Sequence, residues 1–232
     1  MSWRRYVIVL ACAAVGLTAC GGDTSPSAIA SSATTTAAGS FRAQQTLTGT
    51  FLNEPVAIAA ELRFRAPADL AWFSDQPAGA QIAHVAMGDQ AWTLSGAGGW
   101  RSIDPALVRD DVLGGIASLP ERLGSAVVQD LGLGPTIGGE VTRRFRLPSP
   151  DFAQRVVAAI SREQLTHPIT AQEVRELRRA YEEAESFTEV TVGVETRRVY
   201  EIRSTAIGPG LDVVRVTTLT AFDEPVQISP PP

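Results

Sequence analysis

Short segments in which apolar and polar residues alternate occur in the first and last thirds of the chain, and they predict β-strands. In residues 58–65 the apolar Ile58, Leu62 and Phe64 lie on one side, and three of the four opposite positions are charged. A tight turn at Gly88-Asp89 separates two such segments, which predicts a hairpin. The same pattern predicts strands over residues 46–51, 69–74, 82–87, 91–95, 100–103, 140–147, 190–194, 200–203, 214–222 and 226–228.

The apolar spacing changes to a helical period between these two groups of strands. Asp104 can cap a helix that begins at Pro105 and continues toward a break at Pro120. A second helix is predicted after Ser149, and a third after the capping box that starts at Thr170.

The order of these elements determines the predicted fold class. Strands, a helix, a strand, two helices and more strands follow one another without strict strand–helix alternation, which disfavours a doubly wound parallel sheet. The sequence therefore predicts an α+β fold: one large curved antiparallel sheet, a half-barrel, with about three helices packed in its concave face.

The first twenty residues have the pattern of a bacterial lipoprotein signal peptide. Arg4 and Arg5 precede an apolar run of about a dozen residues, which is shorter than the ~20 residues of a membrane span. Leu17-Thr18-Ala19-Cys20 then resembles a lipobox, which implies cleavage before Cys20 and acylation of its sulfur. An uncleaved apolar anchor with an incidental cysteine is the alternative.

The rest of the chain divides into two parts. Residues 20–40 are mostly Ser, Thr, Ala and Gly, with one Pro and a single charge, Asp23, so we expect a lipidated flexible tether with a typical reach of ~25 Å. Residues 41–232 contain the predicted strands and helices and are expected to form a single domain.

Composition and charge exclude several classes of function. All 20 basic residues are Arg, so Walker A loops and Schiff-base lysines are absent. The formal net charge of −5 disfavours nucleic acid as a partner. No nucleophile–base pair or metal-ligand spacing stands out, and two His and two Cys are too few for common zinc frameworks. We therefore expect no enzyme, no cofactor and no bound metal.

Aromatic and aliphatic side chains are the candidates for contact with a hydrophobic ligand. They could line an apolar cavity or, alternatively, simply fill the core between sheet and helices. The arginine pairs at 143–144, 178–179 and 197–198 could contact lipid phosphates, although solvated surface charge is the default interpretation. The candidate cavity residues are Phe64, Trp72, Trp92, Trp100, Phe145, Val156, Ile160 and Tyr200.

Three motifs resemble those of a known family. Residues 85–92, followed by Gly99-Trp100, resemble the hairpin of periplasmic lipoprotein carriers. Residues 138–145 resemble the strand after their first helix, and residues 219–230 their closing segment, except that Asp223-Glu224-Pro225 replaces a glycine-containing turn. In their order and spacing these motifs are similar to the LolA/LolB-like superfamily, and within it to the LppX/LprA/LprF/LprG lipoproteins.

The resemblance implies a half-barrel sheet that wraps helices around an apolar cavity, and a carrier of lipid or lipoprotein acyl chains. It implies no catalytic residues. We therefore expect a lipid-anchored protein on the extracytoplasmic side of the cell membrane or outer membrane that binds lipid acyl chains. The alternative is an envelope structural or sensing module that binds a protein partner and has no ligand cavity.

Overall fold

A large β-sheet forms the frame of the molecule. The structure, a computed structural model, describes residues 23–33, 39–52, 54–66, 69–75, 81–113, 116, 119–125, 127–156 and 171–231. The strands are β1 (Ser40–Phe51), β2 (Glu54–Arg65), β3 (Asp69–Asp75), β4 (Gln81–Met87), β5 (Gln90–Ser95), β6 (Trp100–Ile103), β7 (Gln129–Leu133), β8 (Thr142–Pro148), β9 (Glu185–Gly193), β10 (Val199–Gly208) and β11 (Leu211–Thr220).

The eleven strands form one open sheet in the order β6-β5-β4-β3-β2-β1-β11-β10-β9-β8-β7. Its named strand pairs are antiparallel, and β6 and β7 are the two edges. The β4–β5 hairpin turns at Gly88, whose φ of 56° suits a residue without a Cβ. The predicted α+β class with a large curved antiparallel sheet is confirmed.

Short helices accompany the sheet. They are α1 (Pro26–Ser32), α2 (Pro105–Leu113), α3 (Leu119–Leu123), the helical residues 151–156, called α4 below, and α5 (Ala171–Glu182). Asp104 caps α2 as predicted, since its Oδ1 accepts a hydrogen bond of 2.9 Å from the Ala106 N–H. Among the described residues, no helix has both the length and the apolarity that crossing a membrane requires.

The prediction of a single helix from Asp104 toward Pro120 is wrong in one respect. The chain forms α2 and α3 as two helices, and Pro120 lies in the first turn of α3 instead of ending a helix. A proline in a first turn removes no intrahelical hydrogen bond, because the N–H groups there have no partner within the helix.

Helix α1 lies in the segment for which the sequence predicted only a flexible tether. Ser25 caps it through a 3.3 Å hydrogen bond from the Ala28 N–H, and Pro26 occupies its first position. Ile29 is 1% exposed and belongs to the largest hydrophobic cluster. For residues 25–33 the prediction of a chain without buried contacts is therefore wrong, because one large apolar residue flanked by alanines packs on the domain.

The two faces of the sheet have different coverings. On the concave face, one hydrophobic cluster joins β-strand residues such as Phe41 and Leu62 to Ile29 of α1 and Leu119 of α3. A second cluster joins the far ends of β1, β2, β10 and β11 to α4 and α5. The helices thus lie on the concave face, and a band of the sheet lies between the two clusters.

The C-terminal segment covers part of the convex face. Val226 and Ile228 are buried there, against Ala71 and Val85. The predicted strand over residues 226–228 is wrong, because these residues have no strand pairing. Pro225 has no N–H to donate to a sheet ladder, and the segment packs on a face instead of on an edge.

Strand β7 has no counterpart in the predicted elements. Its pairing with β8 shifts register between Asp130 and Gly132, and Gly132 has a φ of 87°. An irregularity of this kind interrupts the apolar–polar alternation from which strands are predicted.

Candidate ligand-binding site

A small cavity of about 20 Å³ lies between the concave face of the sheet and the helices. This volume is roughly what one or two water molecules need. The floor of the cavity consists of strands β1, β9, β10 and β11. Its roof consists of α3, α4 and Ser149, which lies two residues before α4. The lining residues are Gln45, Ile116, Leu119, Arg122, Ser149, Arg155, Thr188, Ile202, Ser204, Arg215 and Thr217.

Strand register brings the polar floor together. On β11, Arg215 pairs with Ser204 of β10, which pairs with Thr188 of β9. Thr217 pairs with Gln45 of β1. Because paired residues of neighbouring strands share one face, these side chains form a polar band across the concave face between the two hydrophobic clusters.

Hydrogen bonds link the hydroxyl groups of this band. Ser149 Oγ lies 2.6 Å from Thr188 Oγ1, and Thr188 Oγ1 lies 3.0 Å from Ser204 Oγ. Arg122 Nη2 donates to Ser149 Oγ at 2.8 Å and to the Pro148 carbonyl at 2.7 Å. The band is therefore a connected network that joins α3 to the sheet.

Three arginines converge on the cavity. Arg122 comes from α3, Arg155 from α4 and Arg215 from β11. The guanidinium of Arg215 lies 5.0 Å from the ring centre of Phe152. Arg155 has a buried Nε without a hydrogen-bond partner. The aromatic ring supplies one favourable contact to this group of charges.

Burial and the charge of Arg155 weaken the charged state of Arg122 and Arg215. Burial lowers the pKa of Arg215 to about 10, and the charge of Arg155 contributes to the same effect. Burial and Arg155 also lower the pKa of Arg122, whereas Asp151 opposes the change. Arginine side chains are cations at neutral pH, so the cavity is a confined positive site.

Three of the predicted site residues lie on the concave side of the sheet. Phe64 and Phe145 are 5% and 1% exposed, and Phe64 stacks on Phe41 with ring centres 5.0 Å apart. Trp72 donates from Nε1 to Gln45 Oε1 at 3.2 Å, and Gln45 donates to Thr217 Oγ1 at 3.1 Å. Trp72 thus contacts the cavity wall through Gln45.

Two other predicted residues lie on the convex side. Trp92 and Trp100 pack against the cluster that contains Val226 and Ile228. Strand pairing explains the separation. Trp72 pairs with His84, which in turn pairs with Thr93, so these three side chains lie on one face of the sheet. Trp92 is the neighbour of Thr93 along the strand and therefore lies on the opposite face. The structure does not bring these two rings together with Phe64, Trp72 and Phe145.

The remaining predicted residues are dispersed. Val156 of α4 belongs to the second hydrophobic cluster. Ile160 and Cys20 lie outside the described residues, so the ligand contact of Ile160 and the acylation of Cys20 stay predictions. None of the seven predicted cavity residues that the structure describes borders the 20 Å³ cavity; their contact with a ligand also stays a prediction.

Tyr200 belongs to a separate polar cluster at the turn between β9 and β10. Its hydroxyl donates to Glu140 Oε2 at 2.7 Å, and Glu140 Oε1 accepts from the N–H groups of Glu195 and Thr196. Burial opposes ionisation of Glu140, but the hydrogen bonds from Thr196 and Tyr200 outweigh it and hold the pKa of this carboxyl below its ordinary value of 4.5. Burial and the bond to Glu140 raise the pKa of Tyr200.

We expect Glu140→Gln to lower the free energy of unfolding at pH 7 by about 1–3 kcal/mol, the usual worth of hydrogen bonds to a charged group. Because the folded pKa is below 4.5, the carboxylate's contribution is complete above that pH and is lost as pH falls through the folded value. Urea unfolding at several pH values measures this difference. Glu195→Gln, at an exposed position of the same turn, is the control; equal effects of both variants at pH 7 would contradict the prediction.

Sequence reasoning considered other arginines and missed the three in the cavity. The arginine pairs considered there contain Arg143, which binds Asp130, and Arg198, which binds Asp223. Arg215 could have been found from the sequence. The two-residue alternation of β11 places it on the same, apolar side as Leu211, Val213 and Leu219. A charged residue at an apolar phase of a strand indicates a buried polar site.

The described residues offer no evident place for a metal. Among them, no group of three or more His, Cys, Asp or Glu side chains is arranged to hold an ion. The site that the geometry does provide is the arginine cavity, with guanidinium and hydroxyl groups as donors.

Comparison with known proteins places the fold. Neither family models nor curated protein sequences match this chain. Among solved structures, the lipoprotein LppX from Mycobacterium tuberculosis superposes with a TM-score of 0.50 at 12% identity, over 90% of this chain and 100% of LppX. A LolA superfamily protein from Nitrosomonas europaea gives a TM-score of 0.33 at 11% identity, over 82% of this chain and 87% of its own.

At this identity the likeness to LppX concerns the fold, and it extends over the whole of that lipoprotein. The sequence predicted a curved antiparallel sheet with helices on its concave face, and the structure has this open sheet. The structure that contains this sheet superposes on LppX. The chain therefore has the LolA-like fold, in the form found in LppX.

Proposed function

We propose that this chain is a membrane-anchored extracytoplasmic lipoprotein that binds the acyl chains of a hydrophobic ligand and carries or transfers it without catalysis. Acylation of Cys20 provides the anchor. A site as apolar as a bilayer makes transfer of acyl chains nearly neutral in free energy, so the protein can both bind and release its ligand.

One observation carries this proposal: the concave face of a LolA-like sheet is apolar on both sides of a polar band, and helices cover it. Separation of these helices from the sheet would expose a groove with apolar surface on both sides of the polar band. A helix as short as α3, Leu119–Leu123, is stabilised by packing more than by its own propensity, since isolated helices of this length are marginal in water.

The size of the cavity defines what binding requires. Ligand pockets usually have volumes of ~300–1,000 Å³, whereas the described cavity has about 20 Å³. Loading therefore requires α3 and α4 to move away from the strands, as in a lid that opens over a groove.

The small cavity also favours a second candidate function. If the helices stay packed, the domain is an envelope module that contacts a protein partner through its surface. Its distinguishing property is the absence of bound lipid under conditions that retain native ligands.

Mass spectrometry of an organic extract distinguishes the two functions. The protein to use is the chain from Gly21 to Pro232, purified without detergent, because it retains α1 and every residue of the hydrophobic clusters. We expect a lipid at near-stoichiometric amounts that is absent from an unrelated protein purified in the same way. An empty protein that also fails to take up a fluorescent fatty acid would overturn the carrier proposal and favour the protein-binding module.

A further inference from the structure

The cavity between the sheet and the helices contains three cations and no anion among its described lining residues. Arg122, Arg155 and Arg215 border it, and the other lining residues are neutral. Asp151 is near enough to affect Arg122, but it does not border the cavity. Converging guanidinium groups without a carboxylate repel one another, and a confined site strengthens this repulsion.

Several other described arginines of this chain have carboxylate partners at close range. Arg65 binds Asp69 at 2.7 Å, and Arg143 binds Asp130 at 2.6 Å. In contrast, Arg215 makes its described contact with the ring of Phe152. Among the described ion pairs, none joins Arg122, Arg155 or Arg215 to a carboxylate.

The cavity also holds donor capacity that the protein does not use. The Nε of Arg155 is buried and has no hydrogen-bond partner. The hydroxyls of Ser149, Thr188 and Ser204 form a chain of two hydrogen bonds, which use two of the three hydroxyl protons and leave one that can rotate toward a ligand. An unsatisfied buried donor is costly, and an acceptor in the cavity would remove this cost.

We propose that this cavity binds a phosphate group, either as free phosphate or as the phosphate of a lipid headgroup. Guanidinium groups match phosphate oxygens with paired N–H donors, and hydroxyl groups complete the coordination. A bound dianion offsets two of the three cationic charges, and no carboxylate among the described lining residues does so.

The geometry assigns different parts to the three arginines. Arg215 belongs to the central strand β11 and is fixed by the sheet, whereas Arg122 and Arg155 belong to α3 and α4. A phosphate group is larger than the water molecules that 20 Å³ accommodates, so it enters only as the roof moves outward. Anion binding is thereby coupled to the position of the helices.

Binding of free phosphate in this cavity does not depend on the proposed carrier function. Binding of a lipid headgroup phosphate rests on that function. If the ligand is a lipid, the arginines hold its phosphate and the apolar clusters on either side receive its chains. The experiment therefore needs separate arms for the anion and for the chains.

Isothermal titration calorimetry on the chain from Gly21 to Pro232 tests the proposal with three probes. These are inorganic phosphate against chloride of equal ionic strength, dioctanoyl phosphatidic acid, and dioctanoylglycerol, which has the same chains and no phosphate. The variants are Arg215→Met, a second cavity variant, Arg155→Gln, and the control Arg203→Met, which changes an exposed arginine of β10.

We expect phosphate or phosphatidic acid to bind, and Arg215→Met and Arg155→Gln each to weaken binding by about ten- to a hundredfold, as expected for lost hydrogen bonds to a charged ligand. Arg203→Met should bind as the original protein does. Without ligand, Arg215→Met should have an equal or higher melting temperature, because it removes a partly buried charge that has no described carboxylate partner.

Each pattern of binding decides the question. Binding of inorganic phosphate alone supports a free-anion site, and preference for phosphatidic acid over dioctanoylglycerol supports a headgroup site. Equal binding of both lipids without any effect of Arg215→Met would overturn the anion site while the carrier function stands. No binding of any phosphate probe would overturn the anion site, and lipid in the organic extract would then be judged separately.

Discussion

Gly49→Ala is expected to lower the free energy of unfolding by about 2–6 kcal/mol, as the sum of backbone strain and overpacking of about 1–3 kcal/mol each. Gly49 lies in β1 between β2 and β11 with a φ of 138°, a conformation that other residues rarely adopt. A Cβ there would lie 1.9 Å from the carbonyl oxygen of Asp212. Because that oxygen belongs to the backbone of the neighbouring strand, the centre of the sheet would have to shift. Urea unfolding followed by circular dichroism measures the loss.

Gly96→Ala is the matched control for this substitution. Gly96 also has a positive φ, 59°, but a Cβ there meets no atom within 4 Å. The control therefore carries backbone strain without the collision, and we expect it to lose about 1 kcal/mol. Similar losses in the two variants would show that the approach of Asp212 to Gly49 does not constrain the sheet.

Phe145→Ala is expected to cost about 3–5 kcal/mol, the usual range for a buried aromatic residue replaced by alanine. The ring of Phe145 is 1% exposed in the cluster that joins the sheet to α1 and α3. Its removal deletes buried apolar area and leaves a void that helices anchored by other contacts fill only in part. The same unfolding measurement gives the loss.

Phe187→Ala provides the comparison, because it is a phenylalanine of the adjacent strand on a less buried site. Its ring lies 4.4 Å from the guanidinium carbon of Arg146, and this contact is worth about 0.5–1 kcal/mol. A loss for Phe145→Ala as small as that of Phe187→Ala would contradict close packing between helices and sheet at this point.

The sheet was predictable because its strands follow a two-residue period wherever one face is covered. The hairpin at Gly88 and the cap at Asp104 were also predictable, since both depend on local backbone chemistry. α1 was not, because Ile29 is a single apolar residue among small ones and its burial depends on contacts far away in the sequence. The strand predicted at Val226 and Ile228 is wrong for a different reason. Alternation of apolar and polar residues shows that one side is buried, but it does not distinguish a strand from an extended segment that lies on a sheet.

The candidate site was less accessible to sequence reasoning than the fold. Large aromatic residues indicate burial but not which face of a sheet they cover, and strand register separates Trp92 from Trp72. The cavity is instead lined by Arg215 and by arginines of α3 and α4. The position of Arg215 on the apolar side of β11 could be inferred from the sequence, but the approach of the two helix arginines to it depends on the tertiary structure.

The packing of α1 changes how a lipid anchor at Cys20 would hold the domain. Arg197, in the turn between β9 and β10, donates to the Asp23 carbonyl at 2.7 Å. Only two residues lie between Cys20 and Asp23, so Asp23 stays within about 11 Å of an acylated Cys20. That distance is comparable to the Debye length of ~10 Å at 0.1 M salt. The domain would then keep one end toward the membrane, and the ionic strength and the charge of the lipid headgroups would influence its orientation there.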